Sequence, residues 1–234
     1  MERQPNCFTR LEALIGSEAM QTLGDKSVFV LGVGGVGGYV CEGLARSGVR
    51  HIILMDADCV DTTNINRQII ALHSTIGQYK VDVMKKRILD INPNCQVEVY
   101  PYFLHEDNLS ILEECCYDFF VDACDTVSTK KAVLSFCKER GIPFLTCLGT
   151  AKKFRPELLE ITDLSKTYND PLARILRKYV KDNHISGSIP VLFSSELPAD
   201  VKELGSTAFV PSSAGLLIAS YVVRQFIDDM KNNS

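Results

Sequence analysis

Five glycines crowd the seven residues Gly32-Val33-Gly34-Gly35-Val36-Gly37-Gly38. Small residues at this density let a chain turn tightly and bring its backbone close to a phosphate at the start of a helix, as in a dinucleotide fingerprint. Asp56 follows Gly37 by 19 residues and ends the next apolar run, where a carboxylate can hold a ribose hydroxyl. Gly32, Gly34, Gly35, Gly37 and Asp56 are therefore candidate nucleotide contacts, and so far they suit NAD and ATP equally.

The next block separates the two. Asp56-Ala57-Asp58 runs into Asn64-Ile65-Asn66-Arg67-Gln68, and Gly77-Gln78-Tyr79-Lys80 opens a helical pattern. Hydride transfer has no evident need for two fixed cations here. Activation of a carboxylate by ATP does, because the carboxylate attacks the α-phosphate and charge on the phosphate oxygens must be stabilised as pyrophosphate leaves. Arg67 offers a planar fork, Lys80 a compact charge, and Asn64 a neutral partner for phosphate or ribose. A magnesium ion bridging the phosphates would want a carboxylate at the end of a neighbouring strand. Of Asp122 and Asp125, the latter lies just past the apolar run and is better placed to face the crevice. The competing expectations are a surface role for each cation and a helix-capping role for Asp125.

These residues need a scaffold that brings them to one edge of a sheet. Helical spacing of apolar residues over 10–23 predicts an N-terminal helix, and the run 27–31 a strand that enters the glycine turn and a helix over 39–47. Further strands are expected at 51–55, 96–100, 118–122 and 143–147, with helices at 78–91, 109–115 and 129–140 between them. Alternation of this kind implies a Rossmann-like, doubly wound, mostly parallel α/β sheet with helices on both faces. From Gly149 the rhythm changes. Residues 152–170 read as polar and irregular, 171–181 as a basic amphipathic helix opened by Asp170-Pro171, 191–194 as a strand, 195–207 as a loop and 213–230 as a closing helix. The expected division is a nucleotide-binding domain over 1–150 and, over 151–234, a substrate-facing C-terminal extension and closing helix of the same globular unit.

Composition agrees with one compact enzyme-sized unit: 234 residues, 46% hydrophobic and 23% charged. A net charge of -4 gives no global pull toward nucleic acid, although residues 152–181 hold eight Lys or Arg against four Asp or Glu. The nine cysteines include no CxxC pair, so no structural zinc is expected, and with no secretory signal in view the expected setting is the reduced cytoplasm. The most apolar stretch, 214–227, is short for a membrane span and contains Arg224 and Gln225.

Together, Gly32 to Gly38, Asp56-x-Asp58, Asn64-x-x-Arg67-Gln68, Gly77-x-x-Lys80 and Asp125 resemble the ThiF/MoeB-like branch of the ubiquitin-activating superfamily. The resemblance covers roughly the first 150 residues. It implies carboxylate adenylation with ATP and Mg2+, a site that includes Asp58 and Gln68, and a homodimer in which Arg10 reaches the partner's ATP.

Two CxxC pairs, common in the sulfur-carrier-activating enzymes of this branch, are missing. Instead Ile161-Thr162-Asp163-Leu164-Ser165-Lys166-Thr167, Asp170-Pro171-Leu172-Ala173-Arg174, Gly205-Ser206 and Phe209-Val210-Pro211 are similar to the tRNA threonylcarbamoyladenosine dehydratase family. That similarity implies a tRNA substrate whose threonylcarbamoyl carboxylate is adenylated and then captured by a nitrogen of the same side chain. An attacking group already tethered needs no enzyme nucleophile, so Cys124 and Cys147 are expected to be packing thiols. With RNA as substrate, Lys152, Lys153, Arg155, Arg174, Arg177 and Lys178 become candidate phosphate contacts. The alternatives are adenylation of a Gly-Gly sulfur carrier, an NAD enzyme and a non-catalytic nucleotide sensor; a sulfur-transfer protein is a further possible partner.

Overall fold

The structure, a computed structural model, describes residues 6–232. Its first helical segment is α1 (Thr9–Ile15) followed by α2 (Ser17–Gly24). One helix was expected here; Gly16, at φ 87°, takes the left-handed region that an α-helix excludes and breaks it in two.

The nucleotide-binding half then alternates as β1 (Ser27–Leu31), α3 (Gly37–Arg46), β2 (His51–Met55), α4 (Lys80–Ile91), β3 (Gln96–Tyr100), α5 (Ile111–Glu114), β4 (Phe119–Asp122), α6 (Val127–Arg140) and β5 (Phe144–Cys147). β6 (Leu159–Asp163), α7 (Pro171–Asp182), β7 (Pro190–Ser194) and α8 (Phe209–Asn232) complete the chain. The strands form one seven-stranded sheet in the order β3-β2-β1-β4-β5-β7-β6. All neighbours are parallel except β6 and β7.

The central strands are runs of Val, Ile, Leu and Phe because helices cover both their faces. Val28, Val30, Ile52 and Leu54 join a core beneath α3, α4 and α8, whereas Phe29, Leu31, Ile53 and Phe120 face the core under α6 and α7. Strand order reverses between β1 and β4, and the crevice at their carboxyl ends is where an open sheet of this kind takes a ligand.

Two further features differ from what the residue pattern predicts. Residues 152–170, expected to be irregular, contain β6, which pairs antiparallel with β7 from Leu159↔Ser194 to Asp163↔Pro190. An edge strand buries little, so it leaves a weak hydrophobic pattern. The closing helix is longer than expected, at 24 residues, and is long and apolar enough by length and composition to cross a membrane. Its Val210, Ala214, Ile218, Val222 and Phe226 are instead buried in the protein core.

Candidate functional site

β1 feeds directly into the glycine turn. Gly32 has φ 85°, and a Cβ there would stand 2.8 Å from the Ala123 carbonyl oxygen at the end of β4. Gly37 opens α3 so close to the turn that its Cβ would lie 1.8 Å from Gly32 O. Asp56, at the end of β2, accepts the Val33 N–H at 2.7 Å and the Asp58 N–H at 2.8 Å. It therefore holds the turn in shape, and its remaining lone pairs are available for a ribose hydroxyl. Burial pushes its carboxyl above the ordinary value, against the pull of Lys80 and the two N–H donors.

A cavity of about 510 Å3 opens beyond these strand ends. Gly32, Gly34 and Gly35 form one wall; Asp56, Asp58, Arg67, Gln68 and Lys80 form another. Arg67 is steadied from behind, donating from Nη1 to Thr63 O at 2.7 Å and to Asn66 Oδ1 at 3.0 Å. Lys80 Nζ lies 2.6 Å from Asp58 Oδ2, with the Lys80 side chain 7% and that of Asp58 54% exposed. Gln68 is buried, and among the described residues its Oε1 has no hydrogen-bond partner, an arrangement that a polar ligand in the cavity would complete. Asp125 lines the cavity from the end of β4. Its carboxylate takes no hydrogen bond or ion pair among the described residues, and Thr126, not Asp125, is the N-cap of α6.

Three expected site residues do not line this chain's cavity, one of them, Arg10, being expected at the partner's ATP. Gly37 does not line the cavity; it serves close packing of α3 on the turn. Asn64 is turned into its own loop, where Oδ1 accepts the Asp61 N–H at 3.1 Å, so it shapes the segment that presents Arg67. Arg10 is exposed and outside its own chain's cavity. Phe8, two residues before it, approaches Gly48 beyond the C-terminal end of α3, the end remote from the glycine turn.

The floor contains an ion pair that spacing did not reveal. Lys130, on α6, lines the cavity and places Nζ 3.0 Å from Asp122 Oδ2 and 2.7 Å from Cys147 O. These side chains are 1% and 0% exposed. Burial works against the lysine's charge, but the negative groups around it, the Asp122 carboxylate foremost, together hold the ammonium above the ordinary value. Asp122 Oδ1 also accepts the Cys124 N–H at 3.2 Å and the Cys124 thiol at 3.1 Å. The pair thus fastens the β4–α6 turn, which carries Asp125, to the end of β5. The available signal was a lysine one helical turn before the inward-facing Val133 and Leu134. Burial pushes Cys147 up to about 12 and drives Cys124 upward as well, which favours the thiol over the nucleophilic thiolate at both positions.

The ThiF family model matches residues 8–228. A tRNA threonylcarbamoyladenosine dehydratase of Bacillus subtilis is 41% identical, with 96% of each chain covered. The crystal structure of the Escherichia coli tRNA N6-threonylcarbamoyladenosine dehydratase in complex with ATP superposes with TM-score 0.92 at 33% identity, covering 97% of this chain and 96% of that one. This chain belongs to the ThiF family. By contrast, a sulfur carrier protein adenylyltransferase of Thermus thermophilus matches only 51% of the chain, at 36% identity.

The second half of this ThiF-family chain sorts the expected tRNA contacts by what else they hold. Lys153 is buried, with Nζ 3.5 Å from Asp170 Oδ2 and 3.2 Å from Ser194 O; it ties the loop to α7 and β7 and cannot reach a phosphate. Lys152 donates its ammonium to Val201 O, 2.5 Å away, which braces the 195–207 loop. Arg155 is paired with Glu157 at 2.8 Å, and Arg177 donates to Thr167 O at 2.8 Å. Arg174 and Lys178 are exposed and have no such partner among the described residues.

Proposed function

We propose that this chain is an ATP-dependent tRNA threonylcarbamoyladenosine dehydratase acting through an adenylate. The carboxylate of the threonylcarbamoyl side chain attacks the α-phosphorus of ATP and the bond to pyrophosphate breaks. A nitrogen of the same side chain then attacks the activated carbonyl carbon, gives up its proton, and closes a ring as AMP leaves with the carboxylate oxygen. The net change in the nucleoside is loss of one water. The observation that carries the reading is one cavity lined by the glycine turn, Arg67, Lys80 and Asp125, in a chain matched over 96% of its length by a dehydratase.

Arg67 and Lys80 hold the phosphates and stabilise charge as pyrophosphate departs. Asp56 and Gln68 hold the nucleoside end, and Asp58 guides Lys80. Among the described residues no group of three or more His, Cys, Asp or Glu is placed to hold a metal. A lone Asp125 nonetheless fits Mg2+, which keeps waters and draws its other ligands from phosphates; when bound, the ion would neutralise phosphate charge. The protonated Cys124 and Cys147 support ring closure by the tethered nitrogen without a covalent enzyme intermediate.

Residues 1–150 are the nucleotide-handling part and 151–234 the substrate-facing part. A homodimer supplying Arg10 in trans is supported by the distance of Arg10 from its own cavity and by exposed Leu14, Leu216 and Leu217 on α1 and α8. The test is mass spectrometry of tRNA nucleosides after incubation with enzyme and ATP. Loss of one water from threonylcarbamoyladenosine is expected. Pyrophosphate exchange that depends on a Gly-Gly carrier, with tRNA mass unchanged, would overturn the reading.

A further inference from the structure

Helix α7 starts at the cavity and leads away from it. Leu172 lines the cavity, Asp170 caps the helix by accepting the Ala173 N–H at 2.9 Å, and Ala173 and Leu176 are buried in the core. Arg174, Lys178 and Lys181 stand at i, i+4 and i+7, which puts them on one face at about 6 Å and then about 10.5 Å along the axis. All three are exposed, and none has a side-chain hydrogen bond or ion pair among the described residues. Asp182 is the one carboxylate on the helix against Arg174, Arg177, Lys178 and Lys181. A solvated helix face ordinarily interleaves its charges; this one does not, in a chain whose net charge is -4.

We infer that Arg174, Lys178 and Lys181 form a rail for the tRNA backbone, carrying the strand that flanks the modified nucleotide out of the cavity along α7. The inference rests on the dehydratase reading for the identity of the nucleic acid. It moves the tRNA contact surface off the 152–155 loop, whose cations are buried or engaged, and replaces Arg177 with Lys181, because Arg177 is turned back onto Thr167. Cations without partners contribute most to phosphate binding, since no ion pair must be broken before counterions are released from the RNA.

The experiment uses the whole protein and unmodified tRNA as the binding probe, comparing wild type with Arg174→Gln/Lys178→Gln/Lys181→Gln across a salt series. Each lost contact to a single strand lowers the slope of log affinity against log salt by about 0.7, so the triple variant is expected to lose about 2 from the slope. Its KM for substrate tRNA should rise at least tenfold, while its melting temperature and its stabilisation by ATP stay those of wild type. Arg174→Lys should bind tRNA as wild type does. An unchanged slope and affinity in the triple variant would overturn the rail. Binding is read without turnover, so a wild type that binds tRNA yet removes no water counts against the dehydratase reading, and the slope difference still decides the rail.

Discussion

The wall and the floor of the cavity each contain a lysine paired with an aspartate, yet the two pairs are built in opposite ways. On the wall, Lys80 is held by Asp58, whose side chain is 54% exposed. On the floor, Lys130 and Asp122 are 1% and 0% exposed, and each has a second anchor, Cys147 O for the lysine and Cys124 for the aspartate. Water can take over Asp58 at little cost, so Lys80 is free to exchange its partner for a phosphate. Lys130 has no such exchange open to it, because releasing it would strand a charge where water cannot follow. The same two residue types therefore form a pair open to exchange in one place and a framework in the other, according to the burial of the aspartate and the further anchors around it.

The sharpest way to break this contrast is to remove each lysine and measure both turnover and melting. Lys80→Ala should cost on the order of 10^3-fold in turnover, as loss of a charge-stabilising group does, with a melting temperature near that of wild type. Lys130→Met should do the reverse in kind, destabilising the fold by about 3–5 kcal/mol because Asp122 is left buried and unpaired. Lys130→Met combined with Asp122→Leu should recover most of that loss in a urea titration. If the double variant is as unstable as the single one, the floor pair is more than a buried framework.

A smaller effect is expected at Asp125. Asp125→Asn should lower turnover roughly 10^2-fold, recovering in part at high Mg2+, with stability unchanged because among the described residues the carboxylate has no partner to lose. Equal turnover at all Mg2+ concentrations would remove Asp125 from the metal role. The smallest change belongs to the floor thiols. Cys124→Ala and Cys147→Ala should each retain turnover within about tenfold, where loss of a covalent nucleophile costs several orders of magnitude. Slow alkylation of both thiols at neutral pH would accompany their raised pKa values.

Much of the fold was legible because its signals are local. The runs 27–31, 51–55 and 96–100 have the observed strand bounds: the first two are short apolar runs buried between helices, and the third, at the sheet edge, alternates exposed Gln96 and Glu98 with the more buried Val97 and Val99. β6 was not legible: its five residues become a strand only by pairing with β7, about thirty residues onward. Within the site, the motif residues Arg67, Gln68, Lys80 and Asp125 line one cavity, whereas Asn64 does not line it and its Oδ1 accepts from its own loop. A motif records which residues are near a ligand without recording where each side chain points.

By itself, then, the sequence determined the order of strands and helices from 27 to 147, the glycine turn at the first crossover and the set of charged residues that could meet a phosphate. Periodicity, turn chemistry and short-range spacing are sufficient for those. Only the tertiary structure decided which charges remain free. Lys153 meets Asp170 and Ser194, Lys130 meets Asp122 and Cys147, and among the described residues the side chains of Arg174, Lys178 and Lys181 have no hydrogen-bond or ion-pair partner. Whether a charge is available depends on partners brought from distant parts of the chain and on the water their packing excludes, and neither is written in the spacing of nearby residues.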